Sequence, residues 1–447
     1  MSTPAAPDHT RWLAVAAALL AGYAGGIAMG KMAPAVPLLQ REFGLSLVQS
    51  GWLIATFNAM AASGGLLFGV MADRIGAYRC CLGALWLLVL GGALGALITP
   101  DAAAVATTTT ATIATIATIA TTATSVPMSA QSALWLLLGA RMIEGIGFIA
   151  LIVSAPALIA ATVAPARRNL AFGFWASYMP LGASLALLAS APLLPLAGWR
   201  GLWWVVAAAA LAAALLLRSQ APHYRSVSNG QARTLRDIRA SLATPAPWWL
   251  GLAFAMYAIQ NHGMLMWLPT YLINERGVSA ADAGLLAALA IGANCIGNVF
   301  GGWLIQRQVA RGLLISITFV ITSTLFLLIF LGNLPDGLRY ALVVFYNMAC
   351  GPIPAAALSG AVRYARAPAE VGSLQGLVVQ ITQLGIFIGP PITAAVVSAA
   401  GNWDAALWVL LSASGIGMLA ALLVMRHERA EQRQRIARPD ATNKARA

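Results

Sequence analysis

Long apolar runs recur from end to end of the 447-residue chain, separated by short segments rich in Gly, Pro and Arg. An α-helix needs about 20 apolar residues to cross the hydrocarbon core, and backbone exposed to lipid must bond to itself. The runs therefore predict twelve membrane-spanning helices, at approximately 12–37, 50–70, 80–99, 132–160, 170–194, 201–217, 248–273, 282–305, 312–332, 339–362, 371–396 and 404–425. Composition agrees: hydrophobic residues make up 60% of the chain and charged residues 9%, against about 25% charged in a soluble domain. The expected class is an all-α integral membrane protein. Its first apolar stretch exceeds the roughly 7–15 residues of a secretory core and reads as an uncleaved first helix.

A net charge of +13 and a pI near 10.4 raise the question of nucleic acid. The positions of the charges answer it. With the N-terminus inside, the cytoplasmic segments collect Arg11, Arg74, Arg79, Arg167, Arg168, Arg307, Arg311, Arg363 and Arg366, plus the arginines of the central linker and the tail. The other side receives only Arg41, Arg200, Arg276 and Arg339. This is the positive-inside pattern of a plasma (inner) membrane protein with both termini cytoplasmic, and no nucleic-acid partner is expected. Cys80, Cys81, Cys295 and Cys350 lack metal or redox spacing and read as packing residues. No metal or cofactor is expected, and no Gly-x-x-x-x-Gly-Lys-Ser/Thr loop is present for ATP-driven work.

The halves repeat. "APARRNLAFG" at 164–173 matches "APAEVGSLQG" at 367–376 in a 203-residue register, and Gly65, Phe68 and Gly69 match Gly297, Phe300 and Gly301 in a 232-residue one. The difference is absorbed by an Ala/Thr-rich segment at about 100–131, read as an external loop because a thirteenth span would reverse every later loop. The expected organisation is a six-helix bundle at 1–217, a basic cytoplasmic linker at 218–247, a second bundle at 248–425 and a basic cytoplasmic tail at 426–447. Two parallel repeats describe a transporter with its solute held near the midplane.

Two motifs sharpen this. "GVMADRIGAYR" resembles the loop between helices two and three of the major facilitator superfamily, through Gly69, Asp73, Arg74, Gly76 and Arg79. "RMIEGIG" is similar to that family's helix-four signature, through Arg141, Gly145 and Gly147, and "WLPTYL" at 267–272 is common among its permeases, including those for small anions. The antiporter pattern of helix five is absent, where the chain reads "SYMPLGASL". The resemblance implies twelve helices in two six-helix repeats, and a cytoplasmic gate in which Asp73 meets the start of helix eleven.

Polar side chains inside spans are costly and face the bundle interior, so they mark candidate pathway residues. These are Lys31, Asn58, Arg141 with Glu144, Gln260, Asn261 and His262, Asn294 with Asn298, Asn347, and Gln380 with Gln383. Spans three, six and twelve carry no such residues and read as lipid-facing. Arg141 falls near the midplane, and Glu144, one turn on, shares its face. Glu144 is the only acid well inside a span, hence the default proton carrier. Lys31 has two readings: snorkelling at the interface if the first helix ends soon after it, or facing the cavity if the helix continues through Pro34 and Pro37. The amides read either as substrate contacts or as interhelical hydrogen bonds.

The resulting expectation is a secondary transporter, not an enzyme, that moves a small anionic solute by alternating access with protons, as a monomer in the bilayer. The alternatives are a proton-coupled exporter of hydrophobic or cationic compounds, and a non-transporting sensor built on a permease fold.

Overall fold

The computed structural model describes residues 9–99, 130–164, 167, 171, 174–175, 177–224, 245–364 and 368–437. The Ala/Thr-rich segment from 100 to 129, the linker from 225 to 244 and the tail beyond 437 lie outside the described residues. So do the side chains of Gly69, Asp73 and Arg74.

The described chain is helical throughout. Its helices are α1 (Trp12–Gly30), α2 (Met32–Phe43), α3 (Leu47–Ile75), α4 (Ala77–Ala96), α5 (Ala130–Thr162), α6 (Tyr178–Ser219) and α7 (Ala221–Tyr224) in the first half. The second half has α8 (Pro245–Leu265), α9 (Leu268–Arg276), α10 (Ala280–Gln306), α11 (Arg311–Leu331), α12 (Asp336–Cys350), α13 (Pro352–Arg363), α14 (Pro368–Ala400) and α15 (Ala406–Ala437). The twelve expected spans are all found in this order. α1 with α2, α8 with α9 and α12 with α13 each form one span, while α6 contains two.

α6 turns at Gly198, whose φ of 62° and ψ of −171° only glycine adopts readily, so spans five and six fold back within one continuous element. α1 and α2 are divided only nominally, because Lys31 keeps helical angles of −60° and −23°. The first span therefore runs 32 residues, Trp12–Phe43, about 48 Å of helix by the rise per residue. That is longer than the expected 12–37 and continues through both prolines. Gly76, with φ 91°, makes the turn from α3 to α4 inside the "GVMADRIGAYR" motif, which accounts for that glycine.

Contacts divide the chain into two compact units. The first comprises Met1–Ala232, His262–Gly292 and Ile386–Ala406; the second comprises Arg233–Asn261, Ala293–Gly385 and Leu407–Ala447. In the first unit α1 packs along α6 and α4 along α5. With lipid as solvent the hydrophobic effect does not drive helices together, so close approach at small residues does. This unit also takes in one end of the seventh, eighth and eleventh spans. The rings of Trp52 and Phe387 meet at a tilt with centroids 5.8 Å apart, Ser184 Oγ donates to the Ala288 carbonyl (3.3 Å), and Trp267 Nε1 donates to the Pro390 carbonyl (3.1 Å). At its opposite end, Tyr224 of α7 is buried, stacks on Tyr78 and donates to the Ala14 carbonyl at 2.5 Å.

In the second unit α11 packs on α12 and α13. α15 continues twelve residues past the expected end of the last span, to Ala437, so the start of the basic tail is helical. It is held there by Glu428, which is buried and accepts a hydrogen bond from the Gly312 backbone at 3.2 Å. That carboxylate caps the first turn of α11, where the helix dipole favours negative charge.

Candidate functional site

Three of the expected site residues meet inside the first unit. Glu144 of α5 divides its carboxylate between two cations: Oε1 pairs with Lys31 Nζ, and Oε2 pairs with Arg141 Nη1 at 2.5 Å. Arg141 Nη1 also donates to the Ala28 carbonyl at 3.0 Å. All three side chains are at most 2% exposed. They are the only buried Lys, Arg, Asp or Glu of this unit among the described residues, so the cluster carries one more positive charge than negative.

Aromatic faces complete the surroundings. Lys31 Nζ lies 4.4 Å from the Trp203 ring centroid, and the Arg141 guanidinium lies 4.4 Å from that of Phe57. Such contacts offset part of the cost of desolvating a cation. Arg141 Nε has no hydrogen-bond partner. Room for Glu144 is made by α4, where a methyl group on Gly91 would lie 2.6 Å from Glu144 Cγ.

Here one of the two readings of Lys31 is selected and one expectation changes. Lys31 does not snorkel, because the first helix runs on to Phe43 and leaves the ammonium fully buried against Glu144. Spans three and six are not simply lipid-facing: they supply Gly91 and Trp203 to the cluster. A search for polar side chains passes over both residues. The available signals were the glycines of α4, spaced as for close packing, and the Trp203–Trp204 pair, of which only one can face lipid.

A second cluster, wholly neutral, lies in the second unit. Asn294 Nδ2 of α10 approaches Tyr257 Oη (3.2 Å), the Asn347 carbonyl (3.1 Å) and Cys350 Sγ (3.4 Å), while its Oδ1 accepts from Asn298 at 2.9 Å. Asn261 Nδ2 donates to Asn347 Oδ1 at 3.0 Å. Tyr257 and Cys350 were not anticipated, since a tyrosine and a cysteine in an apolar run read as packing. Gln260 stands apart and bonds α15 through the Leu410 carbonyl (3.1 Å) and Ser414 Oγ (2.5 Å).

Two of the remaining candidates keep an unpartnered polar atom. Asn58 is buried with its Oδ1 unpartnered, Gln383 is buried with its Nε2 unpartnered, His262 is buried and Gln380 half-buried. No group of His, Cys, Asp or Glu among the described residues is arranged to hold a metal ion.

The repeat relates the two clusters. In the 203-residue register Glu144 corresponds to Asn347. Gly182 approaches Gly26 just as Gly385 approaches Ala255, and the fifth residue beyond each partner is Lys31 or Gln260. Lys31 and Glu144 are thus matched by the amides Gln260 and Asn347, while Arg141 falls opposite the apolar Val344.

Comparison with known proteins agrees with this architecture. The chain is 24% identical over 439 residues to the hexuronate transporter of Bacillus subtilis (strain 168), covering 92% of this chain and 93% of that one. It is 26% identical over 297 residues to the 3-(3-hydroxy-phenyl)propionate transporter of Escherichia coli (strain K12), covering 65% of this chain but only 63% of that relative's length. Both relatives are named as transporters rather than enzymes. In fold it is similar to a bacterial homologue of the human lysosomal transporter Spinster, solved in an inward-facing, unoccupied conformation, with a TM-score of 0.74 at 16% identity over 96% of this chain and 98% of that one. The family model described as Major Facilitator Superfamily matches residues 12–381. Helix order, repeat and matches together identify this chain as a member of the major facilitator superfamily.

Proposed function

We propose that the chain is a secondary transporter that carries a small carboxylate-bearing solute across the plasma (inner) membrane by alternating access, coupled to protons through Glu144. The observation that carries this reading is the buried Lys31–Glu144–Arg141 cluster with its excess positive charge. An unmatched charge at low dielectric costs several kcal/mol. An anion arriving at the cluster removes that imbalance, whereas a cationic solute increases it. Two of the relatives are named for organic acids, hexuronate and 3-(3-hydroxy-phenyl)propionate, which favours the same solute class. The arginine distribution favours cytoplasmic termini.

Charge counting also supplies the coupling. Glu144 and an incoming carboxylate compete for Lys31, and protonation of Glu144 releases Lys31 to the solute. A proton without an anion would leave the cluster at +2, the least favourable of its states, so Glu144 takes its proton only together with the anion. By linkage, whatever the proton adds to anion affinity the anion adds to proton affinity. The neutral cluster around Asn294 and Asn347 suits hydroxyl or carbonyl groups, which need hydrogen bonds but no counter-charge.

Glu144→Gln tests this in liposomes. The expected result is loss of uptake driven by a pH gradient with solute counterflow retained, the counterflow also showing that the variant is folded. Driven uptake at the wild-type rate would remove Glu144 from the mechanism.

A further inference from the structure

A separate polar cluster lies in the first unit, at the end where spans one and two are joined and where Gly198 joins spans five and six. Glu42 of α2 uses both carboxylate oxygens. Oε1 pairs with Arg200 Nη2 at 2.6 Å, and Oε2 accepts from Trp199 Nε1 at 2.6 Å. Arg200 Nη2 also donates to the Ile98 carbonyl at 2.6 Å, and its guanidinium lies 4.3 Å from the Trp199 ring centroid. Arg200 Nε is buried without a partner.

Beside this cluster is a pocket of about 370 Å³ with Arg41, Glu42 and Arg200 among its polar lining and Leu38, Leu194 and Ala197 among its apolar lining. That volume falls within the range of small-ligand sites, roughly 300–1,000 Å³. Its charges do not balance. Glu42 is consumed by Arg200 and Trp199, while Arg41 is exposed and enters no ion pair among the described residues. The neighbouring Leu196 is 83% exposed, as expected where a bundle meets lipid rather than water.

We propose that this pocket binds an oxyanion carried on an apolar body, with Arg41 as its charge partner and the leucine-lined wall taking the apolar part. The shared chemistry is a carboxylate or phosphate at the end of an aliphatic chain. Its source is either a soluble amphiphilic acid or the headgroup of an acidic phospholipid, and the two are separable by experiment. The site uses none of Lys31, Arg141 or Glu144, so it stands independently of the transport reading. Glu42 sets its strength: while ionised it holds Arg200 and repels the ligand.

The experiment uses the purified full chain in a non-ionic detergent and follows thermal unfolding against four probes. These are octanoate, octanol, dihexanoyl phosphatidylglycerol and dihexanoyl phosphatidylcholine. Saturable stabilisation by an anionic probe and not by its uncharged or zwitterionic counterpart is expected. Response to the phosphatidylglycerol alone assigns the site to lipid, and response to octanoate as well assigns it to soluble acids. Arg41→Gln weakens the apparent affinity about fivefold, the worth of one basic residue near an anionic group. Glu42→Gln strengthens it, because the amide oxygen still accepts a hydrogen bond while the negative charge is gone. The proposal is overturned by equal binding to Arg41→Gln, by weaker binding to Glu42→Gln, or by equal stabilisation from the uncharged probes.

Discussion

Removing the cation and removing the anion from the buried cluster are predicted to have unequal consequences. Lys31→Met takes one charge from a site that holds +1 and leaves Arg141 and Glu144 as a neutral pair at 2.5 Å. It forfeits a charge-assisted hydrogen bond, about 1.5–3 kcal/mol, and the contact with Trp203, about 0.5–2 kcal/mol. It also removes the desolvation of a fully buried ammonium, a cost of several kcal/mol. These contributions nearly cancel, so the variant is predicted to stay within about 1.5 kcal/mol of wild type. Glu144→Gln leaves two buried cations without a counter-charge and is predicted to cost about 3–5 kcal/mol, the usual penalty for breaking a buried pair. In the double variant only Arg141 remains charged, and much of that loss is regained. Thermal unfolding of the four purified proteins in one detergent closes the cycle. If Lys31→Met and Glu144→Gln lose stability equally, Lys31 is not a surplus charge and the charge argument for an anionic solute fails.

Three further outcomes follow from packing. A methyl group on Gly284 of α10 would lie 2.8 Å from Ser190 Oγ and 3.1 Å from the Leu187 carbonyl of α6, so Gly284→Leu should wedge these helices apart. In a background without native cysteines it should raise maleimide labelling of Ala288→Cys, and unchanged labelling would mean the contact is not rigid. Gly198→Ala forces a side chain onto φ 62°, ψ −171° and should cost about 1–3 kcal/mol in thermal unfolding; a neutral result would contradict the turn described there. Asn294→Ala removes the donor to Tyr257 and Asn347 and the acceptor for Asn298, leaving buried groups unpaired at about 1–3 kcal/mol, again read by unfolding.

Much of the fold was legible in the sequence because the bilayer imposes a length and a polarity on every element. The number, order and approximate ends of the spans follow from hydropathy, and the halves are related by the glycines that close packing requires. The helices outrun the hydropathic spans at prolines and at polar extensions. Hydropathy ends the first span at Pro37 with continuation as the alternative, and the helix continues, because prolines bend a membrane helix without ending it once neighbouring helices surround it. The last was stopped at Arg426, although Glu428 continues it by capping α11. The first of these bears on the site, since a helix ending at 37 puts Lys31 near the interface, whereas one ending at Phe43 leaves it inside.

The site itself was half legible. Arg141 and Glu144 share a helix face by spacing, so their pairing could be anticipated. The pairing of Glu144 with Lys31 joins residues 113 apart in sequence and depends on helix rotation, which hydropathy does not specify. The contribution of Gly91 is an absence of side chain, and that of Trp203 is an apolar face. Neither registers as chemistry until a charge is found beside it.

The central claim is that this chain moves a small anion with protons, and uptake by the purified protein in liposomes measures it most directly. Labelled small carboxylates are supplied outside, with and without an inwardly directed proton gradient. The account predicts saturable uptake of at least one carboxylate, accelerated by the gradient and abolished in Lys31→Met despite its near-normal stability. Flux equal to that of empty liposomes for every carboxylate, or gradient-driven movement of a cation in their place, would contradict it.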